Sequence, residues 1–366
     1  MNRFLKNCLI IAVISAITLS AGMAQEQAPS LLKDIADKTT VSGQFFLIYQ
    51  VMDKEDICYN DFSLRRGYIT VKSQINEFIS FKFTQDIIFD SEGGDAGNIE
   101  MRLKNAMVHI DNRYLPFMKN SWIDAGLIGM PFFSLEDRVN DYRVEAPMYL
   151  DRYKVLPSAD FGISFSGLIG GKVDSDYQKR VSSSLPGRFG SYSIGLYNGG
   201  GYYAVEMNSN KTFEGRITVR PFGDRLPGLQ VSYSYLNGKG NKLEAPEFTF
   251  HHGYLTWECP WLVLAGQIHS GTGDFLGTWT NDLGEAYDNN GYSVFTEVKF
   301  VPTKFALMGR YDYHNLKSED PLIQKTLTGG VSYRFAGANM ILLNASNLKI
   351  NQEIIRSYEI ALDLRF

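Results

Sequence analysis

Arg216 and Arg220 stand four residues apart in FEGRITVRP. On an extended chain that spacing puts both guanidinium groups on one face, about 13 Å apart. A row of this kind can hand an anion from one site to the next, as charged rings do in selective pores. A plainer role also fits: Arg and Glu on neighbouring strands pair across a wall and keep it wet. Both readings stay open on the sequence.

Other chemistry-bearing residues fit less well. His251 and His252 are adjacent and face opposite sides of a strand, so they cannot chelate one metal together. His109, His269 and His314 are isolated, and the side chains of His269 and Ser270 point apart. A hydrolase needs a Ser, a His and an acid gathered in one place, so no enzyme is expected. Asp274, Asp282, Glu285 and Asp288 crowd one segment but match no calcium-loop spacing, and read as a solvated acidic loop. Gly199, Gly200 and Gly201 read as a loop apex, since no strand-to-helix context supports phosphate binding. Cys58 falls in an expected first external loop and Cys259 in a turn at the other end. A strand's length separates them, beyond the ~7 Å Cα limit for a disulfide. No metal or cofactor is expected.

These residues sit in a chain of strands. ISFKFTQDIIF alternates Ile79, Phe81, Phe83, Ile87 and Phe89 with Ser80, Lys82, Thr84 and Asp86. FEGRITV, LQVSYSY, YSVFTEVKF, FALMGRYDY and LTGGVSYRF read the same way. The polar faces carry Lys82, Asp86, Glu214, Arg216, Arg220, Glu297, Lys299, Arg310, Asp312 and Arg334. Period-two alternation means one apolar face and one wet face. The chain has 366 residues, with 34 Gly, 21 Tyr and 24 Phe, which suits strands and turns. Its formal charge of -4 gives no encouragement to nucleic-acid binding.

The start, MNRFLKNCLIIAVISAITLSAGMAQ, has a basic head, an apolar stretch too short for a ~20-residue span, and a small-residue cleavage site. It reads as a secretory signal over 1–24, followed by a periplasmic segment 25–38. The remainder, 39–366, reads as all-β. We expect a closed antiparallel transmembrane β-barrel of about sixteen strands, with about fourteen or eighteen as alternatives. Closure is required because hydrocarbon offers no partner to a free sheet edge. Short turns such as INEF, ECP and VPT alternate with longer connections, so short periplasmic turns and long external loops are expected. Two connections at the short end are too long, and 170–189 in particular leaves room for a hidden hairpin. Aromatic residues such as Trp257, Trp261, Phe300 and Phe305 fall at strand ends, where a headgroup zone favours them. The last strand alternates Tyr358, Ile360, Leu362, Leu364 and Phe366 on its apolar side.

FSLRRGYITVKSQINEFISFKF, GMPFFSLED, ADFGISFSGLIG, YSIGLYNGGG, FEGRITVRPFGDRLPGLQVSYSYLNG and ALMGRYDYHN occur in an order that resembles the phosphate-selective porin O and P family. The resemblance covers most of the chain after the signal. It implies a sixteen-strand porin, in a family whose members often form homotrimers, with anion preference from inward Arg and Lys. It also implies that Tyr358, Ile360, Leu362, Leu364 and Phe366 form a terminal signal for the barrel-assembly machinery. The expected place is the outer membrane of a Gram-negative-type cell, with lipid outside and small polar solutes or anions such as phosphate inside. The segment 131–158 follows the fifth strand, where porins fold a loop inward. Its basic residues are Arg138, Arg143, Arg152 and Lys154, mixed with Glu136, Asp137, Asp141, Glu145 and Asp151. Inward constriction and external lid are both open for it. The alternative function is a structural or adhesive barrel with a blocked lumen.

Overall fold

The structure, a computed structural model, describes residues 37–54, 57–90, 97–112 and 118–366. The expected signal 1–24 and most of the segment 25–38 lie outside the described residues.

Sixteen strands form one antiparallel sheet that closes on itself. The first five are β1 Thr39–Lys54, β2 Ile57–Gln74, β3 Ile79–Phe89, β4 Ile99–Asp111 and β5 Ser121–Gly129. Then come β6 Ala159–Ile169, β7 Gly190–Tyr197, β8 Thr212–Val219, β9 Leu229–Lys239 and β10 Glu247–Cys259. The wall ends with β11 Leu262–Thr272, β12 Asp288–Phe300, β13 Phe305–Leu316, β14 Leu322–Ala336, β15 Asn339–Ile350 and β16 Glu353–Arg365. Among the described residues, three short helices lie between strands: α1 Phe133–Val139, α2 Tyr149–Arg152 and α3 Ser175–Arg180. No helix among the described residues is long and apolar enough to cross a membrane.

The seam pairs β16 with β1, Leu362 opposite Leu47 and Tyr358 opposite Val51. Its last bonds join Gly43 and Phe366 reciprocally at 3.0 and 3.1 Å. The Phe366 ring lies over Gly43, where any Cβ would collide with it. The ring of the last residue thus packs on a bare glycine at the seam. Outside, Val231, Leu255, Ile268, Val294, Leu343 and Ile360 are exposed. Each is an apolar position of the alternating pattern, so the outer surface is an apolar belt.

The connection 170–189 adds no strand to the barrel. It holds α3 and one isolated bridge between Lys172 and Gly187. Its Leu185 is buried, and the Leu185 carbonyl accepts from Arg220. The segment therefore folds back against the end of the barrel near β8. Cys58 lies within β2 rather than in a loop, and both it and Cys259 are free thiols.

The inner face departs from simple polarity. Phe46, Phe248, Phe250, Phe295, Met308 and Leu342 point inward and are buried. They pack on Phe132, Phe133, Leu135, Tyr142, Tyr149 and Leu150 of the segment 131–158. The core of the molecule is therefore inside the barrel, between the wall and this loop. Each large apolar side chain buried this way contributes roughly 1.5–3 kcal/mol, so the inward position of the loop is strongly favoured.

Candidate functional site

Polar wall residues fasten the loop where its apolar face stops. The Phe132 amide donates to Glu214 at 2.9 Å, and Arg216 Nε donates to the Pro131 carbonyl at 2.9 Å. Gln267 donates to Glu136 at 2.6 Å, and the Tyr142 hydroxyl donates to Glu297 at 2.9 Å. Glu145 meets Arg152 at 2.6 Å and Arg310 at 3.3 Å, and Asp312 meets the same two arginines at 3.0 and 2.9 Å. Arg334 bridges Glu297 at 2.8 Å and Asp141 at 3.4 Å. Burial pushes the Glu136 carboxyl up to about 8. Burial also pushes Glu145 up, but Arg152, Arg310 and Arg65 outweigh it and hold that carboxyl below its ordinary value. Against the wall, burial thus favours the neutral form of Glu136, and the arginines favour the ionised form of Glu145.

This accounts for most of the pore-lining candidates read from alternation. Glu214, Arg216, Glu297, Arg310, Asp312 and Arg334 do face inward, but they hold the loop. Arg216 is 3% exposed and Arg220 is 1% exposed, so this pair borders no open water. Arg220 donates to the Pro227 carbonyl and lies over the Tyr177 ring of the folded-back segment. Lys299 stays partly open beside Glu297. Within the loop, Arg152 is locked between Glu145 and Asp312, and Lys154 is exposed. Arg143 donates to Asp137 at 2.8 Å and to the Tyr68 hydroxyl at 3.0 Å. Arg138 alone of the four faces an open chamber with no ion pair among the described residues.

Open space lies on the opposite side, against β1–β5. A chamber of about 570 Å³ is lined by Lys72, Lys82, Lys104, Arg138, Trp122 and Phe133, among others. A second, of about 420 Å³, adjoins it through Lys82, Lys104, Asn105 and Asp137, and reaches Gln44, Arg143 and Arg365. Lys72 and Lys82 are directly opposite on β2 and β3. Like charges in that position repel and destabilise a sheet. Among the described residues, no carboxylate lies within salt-bridge distance of Lys72, Lys82, Lys104 or Arg138. The acids of the larger chamber are already engaged. Asp124 accepts from Trp122 Nε1 at 3.1 Å and contacts His109 Nδ1 at 2.6 Å, while Asp137 is paired with Arg143.

Two bulges supply cations that alternation hides. The β1–β2 register shifts at Phe46/Leu47 and leaves Arg65 unpaired beside Arg66. The β3–β4 register shifts at Thr84/Gln85 and leaves Lys104 as the extra residue. A bulge turns a side chain that would point outward toward the other face. Arg65 reaches Glu359 at 2.5 Å and the loop carbonyl of Val144 at 2.6 Å. Lys104 sits 5.3 Å from the Tyr68 ring and 5.5 Å from the Tyr202 ring. Above it, Asp86 is fully buried between Arg66 and Arg102, each at 3.4 Å, and accepts from the Tyr202 hydroxyl at 3.0 Å. Arg66, Arg102, Lys104, Lys82 and Lys72 thus descend one wall. The sequence reading singled out only Lys82 and Asp86 from this wall. The adjacent pair Arg65–Arg66 was the one available signal, since strict alternation would send one of them into an apolar surface.

In the segment 271–289, Asp282, Glu285 and Asp288 are exposed, as expected of a solvated acidic loop, and Asp274 is the exception. Asp274 is 1% exposed and accepts from the Leu276, Thr278 and Trp279 amides, which makes it a buried turn cap. His269 contacts Tyr149 and Asn289, while Ser270 is exposed on the other face, as alternation requires.

No protein-family model and no curated protein matches the chain. Solved structures share its architecture. An anion-selective porin from Comamonas acidovorans superposes with a TM-score of 0.62 at 10% identity, over 90% of this chain and 99% of that one. OmpF of Salmonella typhi, in complex with daunomycin, gives 0.60 at 12% identity, over 89% and 97%. The outer membrane channel DcaP of Acinetobacter baumannii gives 0.55 at 9% identity, over 89% and 97%. The chain therefore has the closed sixteen-stranded fold of outer-membrane porins and channels.

Proposed function

We propose that this protein is an outer-membrane porin through which small polar solutes, anions above all, diffuse passively. No bond is made or broken; selection comes from width and charge where the loop 131–158 faces β2–β5. One observation carries the preference for anions: Lys72, Lys82, Lys104 and Arg138 converge on one chamber of about 570 Å³ in which the two acids, Asp124 and Asp137, are bonded to other residues. A mobile anion is the partner that relieves their repulsion. The mature chain is acidic overall, but selectivity depends on the charge beside the path. Phosphate belongs to this class, as the family resemblance implies.

The apolar belt calls for lipid, and the wall of polar and ionic residues calls for water, which supports a membrane location. The end bearing both termini then faces the periplasm. The Phe366-terminated strand is the segment the barrel-assembly machinery would read. A homotrimer follows from the resemblance.

Single-channel recording in a salt gradient tests the proposal. An anion-favouring reversal potential is expected; a cation-favouring one would end the anion reading. A second reading, a barrel with a blocked lumen, draws on the loop core and on Tyr202 bonded to Asp86 above Lys104. A folded protein that conducts no current would favour it.

A further inference from the structure

We infer that the larger chamber binds organic anions whose charged group is attached to a flat apolar body. The inference rests on the anion reading above and goes beyond it in naming the solute. The chamber is two-sided. Lys72, Lys82 and Arg138 supply unpaired cations, from β2, β3 and α1. Met107 and Trp122 supply apolar surface, backed by the buried Phe133, and Met107 is the direct cross-strand partner of Lys82. A charged head on the lysines would therefore set its body beside a thioether and aromatic rings. Thioether and ring contacts favour a flat π-system over a hydrated oxyanion.

The acidic groups do not oppose this placement. Both Asp124 oxygens are engaged, one by Trp122 Nε1 and one by His109. The bond also fixes the indole, with its polar edge turned to Asp124. A volume of about 570 Å³ lies within the ~300–1,000 Å³ of small-molecule pockets. A bare inorganic oxyanion would use the lysines and leave the apolar side wet. A carboxylate on a benzene ring uses both.

The test is current block by added salts in planar bilayers holding the full-length purified protein. The probes are potassium benzoate and potassium acetate, with benzyl alcohol and benzylammonium chloride as ring-bearing controls. Benzoate is expected to block at about one-tenth the concentration acetate requires, the ratio that ~1.4 kcal/mol supplies. Neither control should block in that range. Trp122→Ala should raise the benzoate concentration about tenfold and leave benzoate close to acetate. Should that variant fail to insert, Met107→Ser and Phe133→Leu, measured separately, should each narrow the benzoate–acetate gap. Equal block by benzoate and acetate in an anion-selective channel would overturn this inference and leave the porin reading standing. Block by benzyl alcohol as strong as by benzoate would also overturn it, since the lysines would then play no part. A cation-selective channel would remove the reading beneath both.

Discussion

Reversing the charge of Lys82 should weaken or invert the ion preference. Lys82 faces both chambers and stands opposite Lys72. A monovalent anion passing about 4 Å from its ammonium gains ~1 kcal/mol in a water-like medium, and ~4 kcal/mol where the effective dielectric falls to about 20. The chambers are wet, so the lower figure applies. Lys82→Gln removes one charge, which costs the anion ~1 kcal/mol and relieves the cation by as much, so the anion-to-cation permeability ratio should fall by up to about thirtyfold. Lys82→Glu changes the charge by two units, worth up to ~4 kcal/mol in that ratio, which is enough to reverse a moderate preference. The assay is the reversal potential across a KCl gradient. The Debye length falls from ~10 Å at 0.1 M to ~3 Å at 1 M, so the change should shrink in concentrated salt. Loss of folding does not confuse the result, because Lys82→Glu replaces a repulsive cross-strand pair by an attractive one. Lys211→Gln, in an exposed loop, serves as the control and should change nothing. An unchanged ratio in Lys82→Glu at 0.1 M salt would show that ions do not travel along β2–β4.

Glu145→Ala should leave Arg152 and Arg310 with Asp312 as the one acid they still share, at a cost of up to about 3–5 kcal/mol; a larger, noisier single-channel conductance is expected, and a wild-type trace would count against the loop being held there. Glu136 carries a folded value of about 8 against an ordinary 4.5. Its contribution to seating the loop is thus full below pH 4.5 and is lost as pH rises through about 8. Hydrogen exchange over 133–139, corrected for intrinsic rate, should speed up between pH 5 and 9, and Glu136→Gln should flatten the trend. Val294→Arg puts a cation at the middle of the outer belt and should cost roughly 2–4 kcal/mol of folding stability in lipid vesicles, read from urea titration; no loss would mean that this face does not meet hydrocarbon.

Local alternation was enough to place the strands. Ile79 to Phe89 on β3 and Tyr358 to Phe366 on β16 read correctly because side-chain direction in a strand repeats every two residues. The seam followed from the same rule together with the need to close an edge. The inner face was harder. Phe248, Phe250 and Phe295 break the polar pattern because a loop covers them, and nothing nearby in sequence announces that loop. The segment 170–189 left room for a hairpin, where the structure has a short helix folded back near Leu185.

Away from the bulges, the amino-acid sequence by itself determined which side chains face outward, because there direction depends only on parity along each strand. It could not determine which inward charges meet water. Tyr142 and Glu297 are 155 positions apart, and Glu145 and Arg310 are 165 apart. Only closure of the barrel brings them together, and in doing so it consumes the arginines of β8 and β13 as anchors. The open side then falls to β2–β4, where bulges beside Arg65 and Lys104 break parity and add cations to the wall. A bulge is set by pairing register between two strands, which is a property of the folded sheet and not of either strand alone.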